Sequence, residues 1–383
     1  MTPFDYQPRT RIVFGPGRVE LIGGLARELG ATRVLVVSDP GVIAAGCDQG
    51  ALESLAGAGI VTQLFDFVRE NPTTEHVEAG VAAARAFQPD LLVGLGGGSS
   101  MDCAKGINFV LTSGGQMQDY WGIGKAKAPM LPMIAVPTTA GTGSEKQSFA
   151  LISDAKTHVK MACGDKQASF RVAILDPALT LTQPSRVTAL TGIDAMAHAL
   201  ETYVTKARNP LSLAFSREAW QLLSDSFAKV LSDPSDLDAR GSMQLGASFA
   251  GLAIENSMLG ATHALANPLT ARYGIVHGEA IGIMLPHVIR FNAAECGAWY
   301  QDLVDACPSN NGSGRLAPGA EGLAQYVSQL ADRAGLPPRL AERGVQEVDL
   351  DALAHDAGTQ WTAGYNPRSV DQGALRELYR QAL

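Results

Sequence analysis

The sequence predicts an α/β domain built on a parallel sheet, followed by an all-helical domain. Apolar segments alternate with helical segments over the first half of the chain, and strand patterns stop after Asp176-Pro177. The strand segments are apolar on both faces, which is typical of a parallel sheet covered by helices on both sides. A chain of 383 residues is expected to form two domains. We therefore predict domains at residues 1–180 and 181–383.

Five segments of the first domain have the apolar composition and the bordering turn residues of strands. They are residues 32–39, 59–67, 90–100, 130–145 and 171–177, of which the third runs into glycines and the fourth into a small-residue turn. Helical patterns separate them at residues 19–29, 50–58 and 75–87. The second domain has helical patterns at residues 216–233, 239–256 and 374–383, and a Gly/Pro/Asn-rich stretch at 308–319 predicts an exposed loop.

Composition and charge exclude several classes of protein. Apolar residues make up 46% of the chain and the net charge is −8, so we expect a large core and no nucleic-acid partner. The five cysteines include no C-x-x-C pair, which argues against a disulfide framework or a thiolate zinc site and favours a reducing compartment. The first residues lack the apolar region of a secretory signal, and no run of 18 apolar residues exists. We expect a cytoplasmic protein without a membrane span.

A glycine-rich turn follows the third strand. The sequence GGGS (96–99) comes after the apolar residues 91–95, and a helix is predicted to begin at Ser100. Glycines let a phosphate approach the backbone, and a helix N-terminus offers N–H groups and positive partial charge. A pyrophosphate could therefore bind at this turn. A tight strand-to-helix turn without a ligand explains the same residues.

A second turn of small residues, PTTAGTGS (137–144), follows the fourth strand. Its hydroxyl groups and glycines would lie at the same edge of the sheet as the GGGS turn, and in open α/β sheets ligands bind in this crevice. The two turns together favour a dinucleotide-binding domain more strongly than either does alone.

Asp39 ends the first strand of the α/β series. An acid at such a strand end can accept hydrogen bonds from an adenosine ribose, which favours NAD over NADP. In the usual pattern the acid follows the glycines, whereas Asp39 precedes them. An aspartate that begins the turn before Pro40-Gly41 is an equally good interpretation from spacing alone.

A carboxylate and three imidazoles form the candidate metal site. Asp194 and His198 are four residues apart in the apolar helical segment 191–204, so they share one face of the helix. His263 lies in a second helical segment that Gly274 is predicted to end, and His277 begins the next one. Such a set suits Fe or Zn. Histidines that are hydrogen-bonded inside a core remain the alternative interpretation.

The collinear motifs of the chain resemble those of the iron-containing, or group III, alcohol dehydrogenases. They include GLGGGSSMDCAKGI (94–107), VPTTAGTGSE (136–145), GIDAMAHALE (192–201), LGATHALANPL (259–269) and HGEAIGIMLPHVIRFN (277–292). The resemblance covers nearly the whole chain. It implies a Rossmann-like NAD-binding domain and an all-helical metal-binding domain, the dehydroquinate synthase-like fold, with the active site in the cleft between them.

The resemblance also implies the cofactors, the activity and the site residues. One divalent metal, usually Fe²⁺ and sometimes Zn²⁺, would be bound by Asp194, His198, His263 and His277. NAD would be bound by Asp39, Gly97, Gly98, Ser99, Asp102, Thr138, Thr139, Ser144 and Lys160. Within this set, Gly97, Gly98 and Ser99 would hold the pyrophosphate. The implied reaction is hydride transfer between a small alcohol or diol and NAD, in a homodimer or larger homo-oligomer.

One position departs from the family pattern. Many members have a further histidine four residues after the third metal ligand, where this chain has Asn267. Asparagine does not titrate, so the proton route and the substrate preference are open. Three alternatives remain: a glycerol dehydrogenase-type polyol oxidoreductase, a dehydroquinate synthase-like NAD-dependent lyase, and a non-catalytic nucleotide-binding protein. The intact set of four ligands argues against the first and the third.

Overall fold

The computed structural model describes residues 3–307 and 316–383, and most of the loop predicted at 308–319 lies outside them. The chain divides into two compact units. The α/β unit comprises Gln7–Thr139 and Gly143–Gln183, and the helical unit comprises Pro184–Leu383, Ala140–Thr142 and the N-terminal residues up to Tyr6. The boundary between residues 180 and 181 stays a prediction. None of the helices described here has the length and apolar character needed to cross a bilayer.

The strands of the α/β unit form two sheets. Those described are Arg11–Phe14 (β1), Arg33–Val37 (β2), Val61–Phe65 (β3), Leu91–Gly96 (β4), Gly122–Ile123 (β5), Met133–Pro137 (β6), Phe149–Ser153 (β7), Lys160–Gly164 (β8) and Val172–Leu175 (β9). The larger sheet has the order β1-β9-β6-β4-β2-β3, and all of its pairs are parallel. The smaller sheet has the order β5-β8-β7, with β7 and β8 antiparallel. The predicted parallel sheet is confirmed.

Helices accompany the larger sheet in the α/β unit. They are Ile22–Glu28 (α1), Pro40–Ala44 (α2), Gln49–Gly57 (α3), Thr74–Phe87 (α4) and Gly98–Ser113 (α5). Leu25 of α1 and Leu55 of α3 belong to one apolar core with Val34 of β2 and Val93 of β4. The burial of these strands on both faces explains why their sequences read as continuous apolar runs.

The five predicted strands correspond to β2, β3, β4, β6 and β9, and all five are shorter than predicted, β4 and β6 by the most. The segment 90–100 is a strand only as far as Gly96, because the chain turns into α5 at Gly98. The segment 130–145 is a strand only over Met133–Pro137. β1 and the whole smaller sheet were not predicted. The strands of that sheet, β5, β7 and β8, are short or contain small residues, and none of them has a long apolar run.

The helical unit contains the remaining α-helices of the described chain. They are Ser185–Val204 (α6), Pro210–Ser232 (α7), Leu237–Glu255 (α8), Ala261–Tyr273 (α9), His277–Ala306 (α10), Gly319–Arg333 (α11), Leu350–Gly358 (α12) and Gln372–Ala382 (α13). Trp220, Phe227 and Tyr326 lie fully buried in its core. A methyl group at Gly192 of α6 would lie 2.2 Å from the ring of Phe227, so this glycine permits α6 and α7 to approach closely. The all-helical second half is confirmed.

Two glycines fix the positions of the helices that carry the later histidines. Gly274 adopts a left-handed conformation with φ of 65° and ends α9, as predicted. Gly278, the second residue of α10, lies so close to α6 that a Cβ there would be 2.3 Å from the backbone oxygen of Leu190. This close contact holds the first turn of α10, and with it His277, against α6.

Candidate metal centre and nucleotide-binding turns

The structure places all three predicted histidines around Asp194, but in the described part of the chain the ligand atoms that all lie within 4.8 Å of one another are those of Asp194, His263 and His277, without His198. Asp194 and His198 lie one turn apart on α6, His263 is the third residue of α9, and His277 is the first residue of α10. Oδ1 of Asp194 is 3.5 Å from Nε2 of His198, 3.4 Å from Nε2 of His263 and 3.7 Å from Nε2 of His277. His277 is partly exposed, whereas the other three side chains are buried. Three imidazole nitrogens therefore surround one carboxylate oxygen.

The spacing of the ligand atoms of Asp194, His263 and His277, all within 4.8 Å of one another, fits a shared cation, and His198 Nε2 approaches the same carboxylate oxygen. With metal–ligand bonds of about 2.1 Å, neighbouring ligand atoms in a tetrahedral site lie about 3.4 Å apart. The observed separations, which begin at 3.4 Å, match this value and exceed an ordinary N–H···O hydrogen bond. Oδ1 of Asp194 and Nε2 of His263 are buried and have no hydrogen-bond partner among the described residues. A divalent cation would supply the missing partner for both atoms.

Hydrogen bonds from the far side orient two of the imidazole rings. Nδ1 of His198 lies 3.3 Å from the backbone oxygen of Gly141, and Nδ1 of His263 hydrogen-bonds to Oε2 of Glu201. The two rings stack with centroids 4.8 Å apart and an interplanar angle of 19°. In each ring the outer nitrogen is occupied, which leaves Nε2 for a metal.

The electrostatics of the centre favour an ionised carboxylate. Burial on its own raises the pKa of Asp194, but the three imidazoles outweigh it and hold that pKa well below its usual range. Burial lowers the pKa of His198. Burial also acts to lower the pKa of His263, but Glu201 and Asp194 together raise it to about 9. Metal binding at His263 therefore requires the loss of a proton.

Sequence reasoning assigned no role to Glu201, although the residue lies in the motif GIDAMAHALE. The residue is only 4% exposed. The sequence does place this acid three residues after His198 in a largely apolar helix. Because a buried carboxylate needs hydrogen-bond partners, that position could have indicated a role for Glu201. The partner, His263, lies 62 residues further along the chain, so spacing alone does not reveal it.

The GGGS turn forms the junction of β4 and α5. Gly96 has a φ of 143°, and a Cβ there would lie 2.5 Å from Oγ of Ser100, so the turn requires glycine. Gly97 is the N-cap of α5, and no side chain caps this end of the helix within the described residues. Gly98 and Ser99 form the first turn of α5. The backbone N–H groups of a helix start are thus available to an anion.

The second turn lies beside the first. The N–H of Thr138 donates to the backbone oxygen of Gly96 at 2.9 Å, and a Cβ at Gly97 would lie 3.4 Å from the methyl group of Thr139. Oγ of Ser144 donates to Oδ1 of Asp102 at 2.6 Å. The predicted residues of both turns therefore meet at the carboxyl ends of β4 and β6.

Asp39 also lies beside the GGGS turn. Its Oδ1 accepts a hydrogen bond of 3.0 Å from the N–H of Val42, which makes it the N-cap of α2, and its Oδ2 is 3.4 Å from Oγ of Ser100. The aspartate thus begins a turn and is near the proposed pyrophosphate position at the same time. Lys160, at the start of β8, donates to Oδ1 of Asn71 at 3.2 Å. Burial raises the pKa of Asp102 above its usual range, and the charges of Lys105 and Lys160 oppose this only in part.

Comparison with known proteins identifies the family. The profile of the iron-containing alcohol dehydrogenases matches residues 8–177, and the profile of the C-terminal domain of the Fe-containing alcohol dehydrogenase family matches residues 188–383. The chain belongs to the iron-containing alcohol dehydrogenase family. It is an oxidoreductase of the alcohol dehydrogenase class, as predicted.

Members of this family are similar to the chain over its full length. The NAD-dependent methanol dehydrogenase of Bacillus methanolicus is 32% identical over 383 residues, 100% of both chains. The 1,3-propanediol dehydrogenase of Klebsiella pneumoniae is 34% identical over 99% of this chain and 98% of its own. A crystal structure of 1,3-propanediol oxidoreductase superposes with a TM-score of 0.93 at 32% identity, covering 100% of both chains.

A further family structure is that of sulfoacetaldehyde reductase from Bifidobacterium kashiwanohense in complex with NAD⁺. It has a TM-score of 0.90 and 27% identity, and it covers 100% of this chain and 99% of its own. The predicted cofactors, NAD and a divalent metal, agree with these relatives and with the family description.

Proposed function

We propose that this protein is a metal-dependent, NAD(H)-linked alcohol dehydrogenase and aldehyde reductase that acts on a small alcohol or diol. The proposed metal ligands are Asp194, His198, His263 and His277, and the proposed metal is Fe²⁺ or Zn²⁺. The observation that carries the proposal is the position of Asp194 Oδ1, which lies within 3.7 Å of Nε2 of each histidine. The same chain matches the family over both of its halves.

The residues of the centre have separable tasks. When bound, the cation would act as a Lewis acid on the alcohol oxygen and the nicotinamide would exchange the hydride. Asp194 supplies the negative charge, which its lowered pKa keeps available at neutral pH. The contacts of His198 with Gly141 and of His263 with Glu201 hold the two rings so that Nε2 faces Asp194.

The glycine-rich turn and the start of α5 are the proposed pyrophosphate site, through the N–H groups around Gly97, Gly98 and Ser99. Thr138 and Thr139 are the proposed contacts on the nicotinamide side. Ser144 is bonded to Asp102 and Lys105, so we assign it and Asp102 to holding the second turn in place. Asp39 and Lys160 are the proposed contacts to the cofactor riboses.

The substrate proposal rests on the size of the alcohols and aldehydes named for the relatives. These are methanol, 1,3-propanediol and, for the Escherichia coli enzyme that is 30% identical, lactaldehyde. We propose a short primary alcohol, a short diol or the corresponding aldehyde. A homodimer or larger homo-oligomer in the cytoplasm is a further proposal, supported by the family resemblance.

Reversible metal removal tests the proposed function. The purified protein is treated with a chelator, its metal content is verified by elemental analysis, and reduced nicotinamide is followed with methanol, 1,2- and 1,3-propanediol, glycerol and lactaldehyde. We expect the activity to disappear with the metal and to return with Fe²⁺ or Zn²⁺. Full activity in verified metal-free protein would contradict the proposal. Accumulation of NADH distinguishes it from the lyase alternative, and a preference for glycerol would favour the polyol oxidoreductase.

A further inference from the structure

The carboxylate of Glu201 has a separate partner for each of its oxygens. Oε2 hydrogen-bonds to Nδ1 of His263, and Oε1 accepts from the N–H of Thr262 at 2.7 Å. Glu201 lies on α6, the same helix as Asp194 and His198, and both partners lie at the start of α9. Glu201 therefore joins two of the helices that supply the proposed metal ligands.

The start of α9 is held by side chains from elsewhere in the helical unit. Its N-cap, Gly260, has no side chain, and the first N–H groups are satisfied instead by Glu201 at Thr262 and by Oδ1 of Asn366 at Ala261, the latter at 3.1 Å. The amide of Asn366 is fixed in turn by two hydrogen bonds to Asn292, of 3.1 and 2.7 Å. A helix N-terminus carries positive partial charge, which stabilises the carboxylate beside it.

These contacts determine which nitrogen of His263 can bind a metal. An ionised carboxylate only accepts hydrogen bonds, so Nδ1 of His263 must carry the proton that Glu201 receives. The lone pair of the neutral ring is then on Nε2, which is 3.4 Å from Oδ1 of Asp194 on the inner side of the cluster. Metal-binding histidines in proteins generally donate their second nitrogen to such a partner.

We propose that Glu201 is a positioning residue of the metal centre. It fixes the tautomer and the ring orientation of His263, and it adds a second negative charge close to the cation. Together with Asp194 it balances the two positive charges of a divalent metal while the ligand set itself contains one carboxylate. This role of Glu201 rests on the proposed function in one respect: the four proposed ligands must bind a metal.

Replacement by glutamine removes one of the two acceptors that Glu201 provides. The carboxylate accepts from both Thr262 and His263, whereas an amide has one oxygen and one NH₂ group. If the oxygen faces Thr262, the NH₂ group faces Nδ1 of His263 and the ring proton must move to Nε2. If the amide is reversed, the NH₂ group faces the N–H of Thr262. Glu201→Gln therefore opposes metal binding with almost no change in side-chain volume.

The chain offers a matched control in Glu279. Its side chain is 2% exposed, lies in the same unit and is paired with the exposed side chains of Arg186 and Arg343. Its described partners include no imidazole. Glu279→Gln thus removes a buried carboxylate of the same type without altering the hydrogen bond to His263.

Zinc affinity of the full-length chain tests the proposal. Zn²⁺ binding is measured by competition with a chelator for wild type, Glu201→Gln and Glu279→Gln. We expect Glu201→Gln to bind zinc about 10- to 100-fold more weakly, the range found when such hydrogen-bond partners are removed. Glu279→Gln should stay within about threefold of wild type, because the hydrogen bonds of Glu279 go to Arg186 and Arg343 and not to a proposed metal ligand. Equal affinities of wild type and Glu201→Gln, or equal losses in both variants, would overturn the inference.

A spectroscopic measurement separates positioning from a purely structural role. In the zinc-loaded wild type, imidazole ¹H–¹⁵N correlation spectra should show a strongly downfield Nδ1–H signal from the ring that is bonded to Glu201. That signal should shift in Glu201→Gln and stay in place in Glu279→Gln. Its absence from wild type would also overturn the inference, even if Glu201→Gln does not fold. If wild type binds neither Zn²⁺ nor Fe²⁺, the proposed function fails, which is a separate outcome.

Discussion

The ammonium group of Lys105 donates hydrogen bonds of 2.8 Å to both Oγ and the backbone oxygen of Ser144. A third bond of 2.7 Å reaches the backbone oxygen of Phe149, and the carboxylate of Asp102 is 3.7 Å away. Lys105 is completely buried. One lysine thus connects α5, which begins at the proposed pyrophosphate site, with the second turn and with β7.

Lys105→Met is expected to destabilise the α/β unit. The substitution preserves an unbranched side chain, but it leaves Asp102 as a buried carboxylate without its counter-charge and removes three hydrogen bonds. Removal of one partner of a buried pair costs about 3–5 kcal/mol. Urea unfolding, followed by circular dichroism, should show a lower midpoint. The exposed Lys156 provides the control, since Lys156→Met is expected to change stability by less than about 0.5 kcal/mol. Equal midpoints for both variants would show that the contacts of Lys105 are dispensable.

Local patterns in the sequence predicted much of the fold and placed several of the proposed metal ligands on their helices. Asp194 and His198 are four residues apart on one helix, and Gly274 and His277 mark a helix boundary, so their positions follow from periodicity and capping. The role of Glu201 could not be predicted, because it depends on a hydrogen bond to His263, 62 residues further along the chain. Contacts between such distant segments produce no regular spacing in the sequence.

The same limit explains the strands that were missed. β7 and β8 pair with each other over five residues, and the ring of Phe149 occupies the space where Gly164 has no side chain. β1 has four residues and is paired on one edge with β9. Neither feature produces the long apolar run from which the other strands of the larger sheet were predicted.

His277→Ala is expected to abolish metal retention, whereas His287→Ala is not. Both residues lie on α10, but only Nε2 of His277 approaches Asp194, at 3.7 Å. Loss of a direct ligand should weaken metal binding beyond the roughly 10- to 100-fold effect of losing a hydrogen-bond partner. Elemental analysis of freshly purified protein, together with alcohol-dependent reduction of NAD, measures the result. Normal metal content in His277→Ala would remove this histidine from the proposed ligand set.

Asp39→Gly is expected to increase the use of NADP relative to NAD. The carboxylate lies beside the glycine-rich turn, where it would repel the 2′-phosphate of NADP. Its loss should raise the ratio of kcat/KM for NADP to kcat/KM for NAD by about tenfold, which is equivalent to about 1.4 kcal/mol. Glycine is a tolerable N-cap, so α2 should lose only a few tenths of a kcal/mol. Asp39→Asn keeps an acceptor for Val42 without the charge and should shift the ratio in the same direction. An unchanged ratio in both variants would leave Asp39 with its capping role alone.

Asn267→His is expected to introduce a new ionisation into the pH dependence of alcohol oxidation. Asn267 follows His263 by one helical turn, and its Nδ2 donates to Oε1 of Gln360 at 3.0 Å. It cannot exchange protons, whereas an imidazole titrates near pH 6.5 and its neutral form can act as a base. The rate of oxidation by the variant should therefore fall as the pH drops below about 6.5. Above that pH the variant should be faster than wild type, by at most the roughly 10²- to 10⁴-fold that general bases contribute. Asn267→Leu removes the hydrogen bond to Gln360 without adding a titrating group, so its profile of kcat/KM against pH should keep the wild-type shape. Identical profiles for the histidine and leucine variants would show that position 267 takes no part in proton transfer.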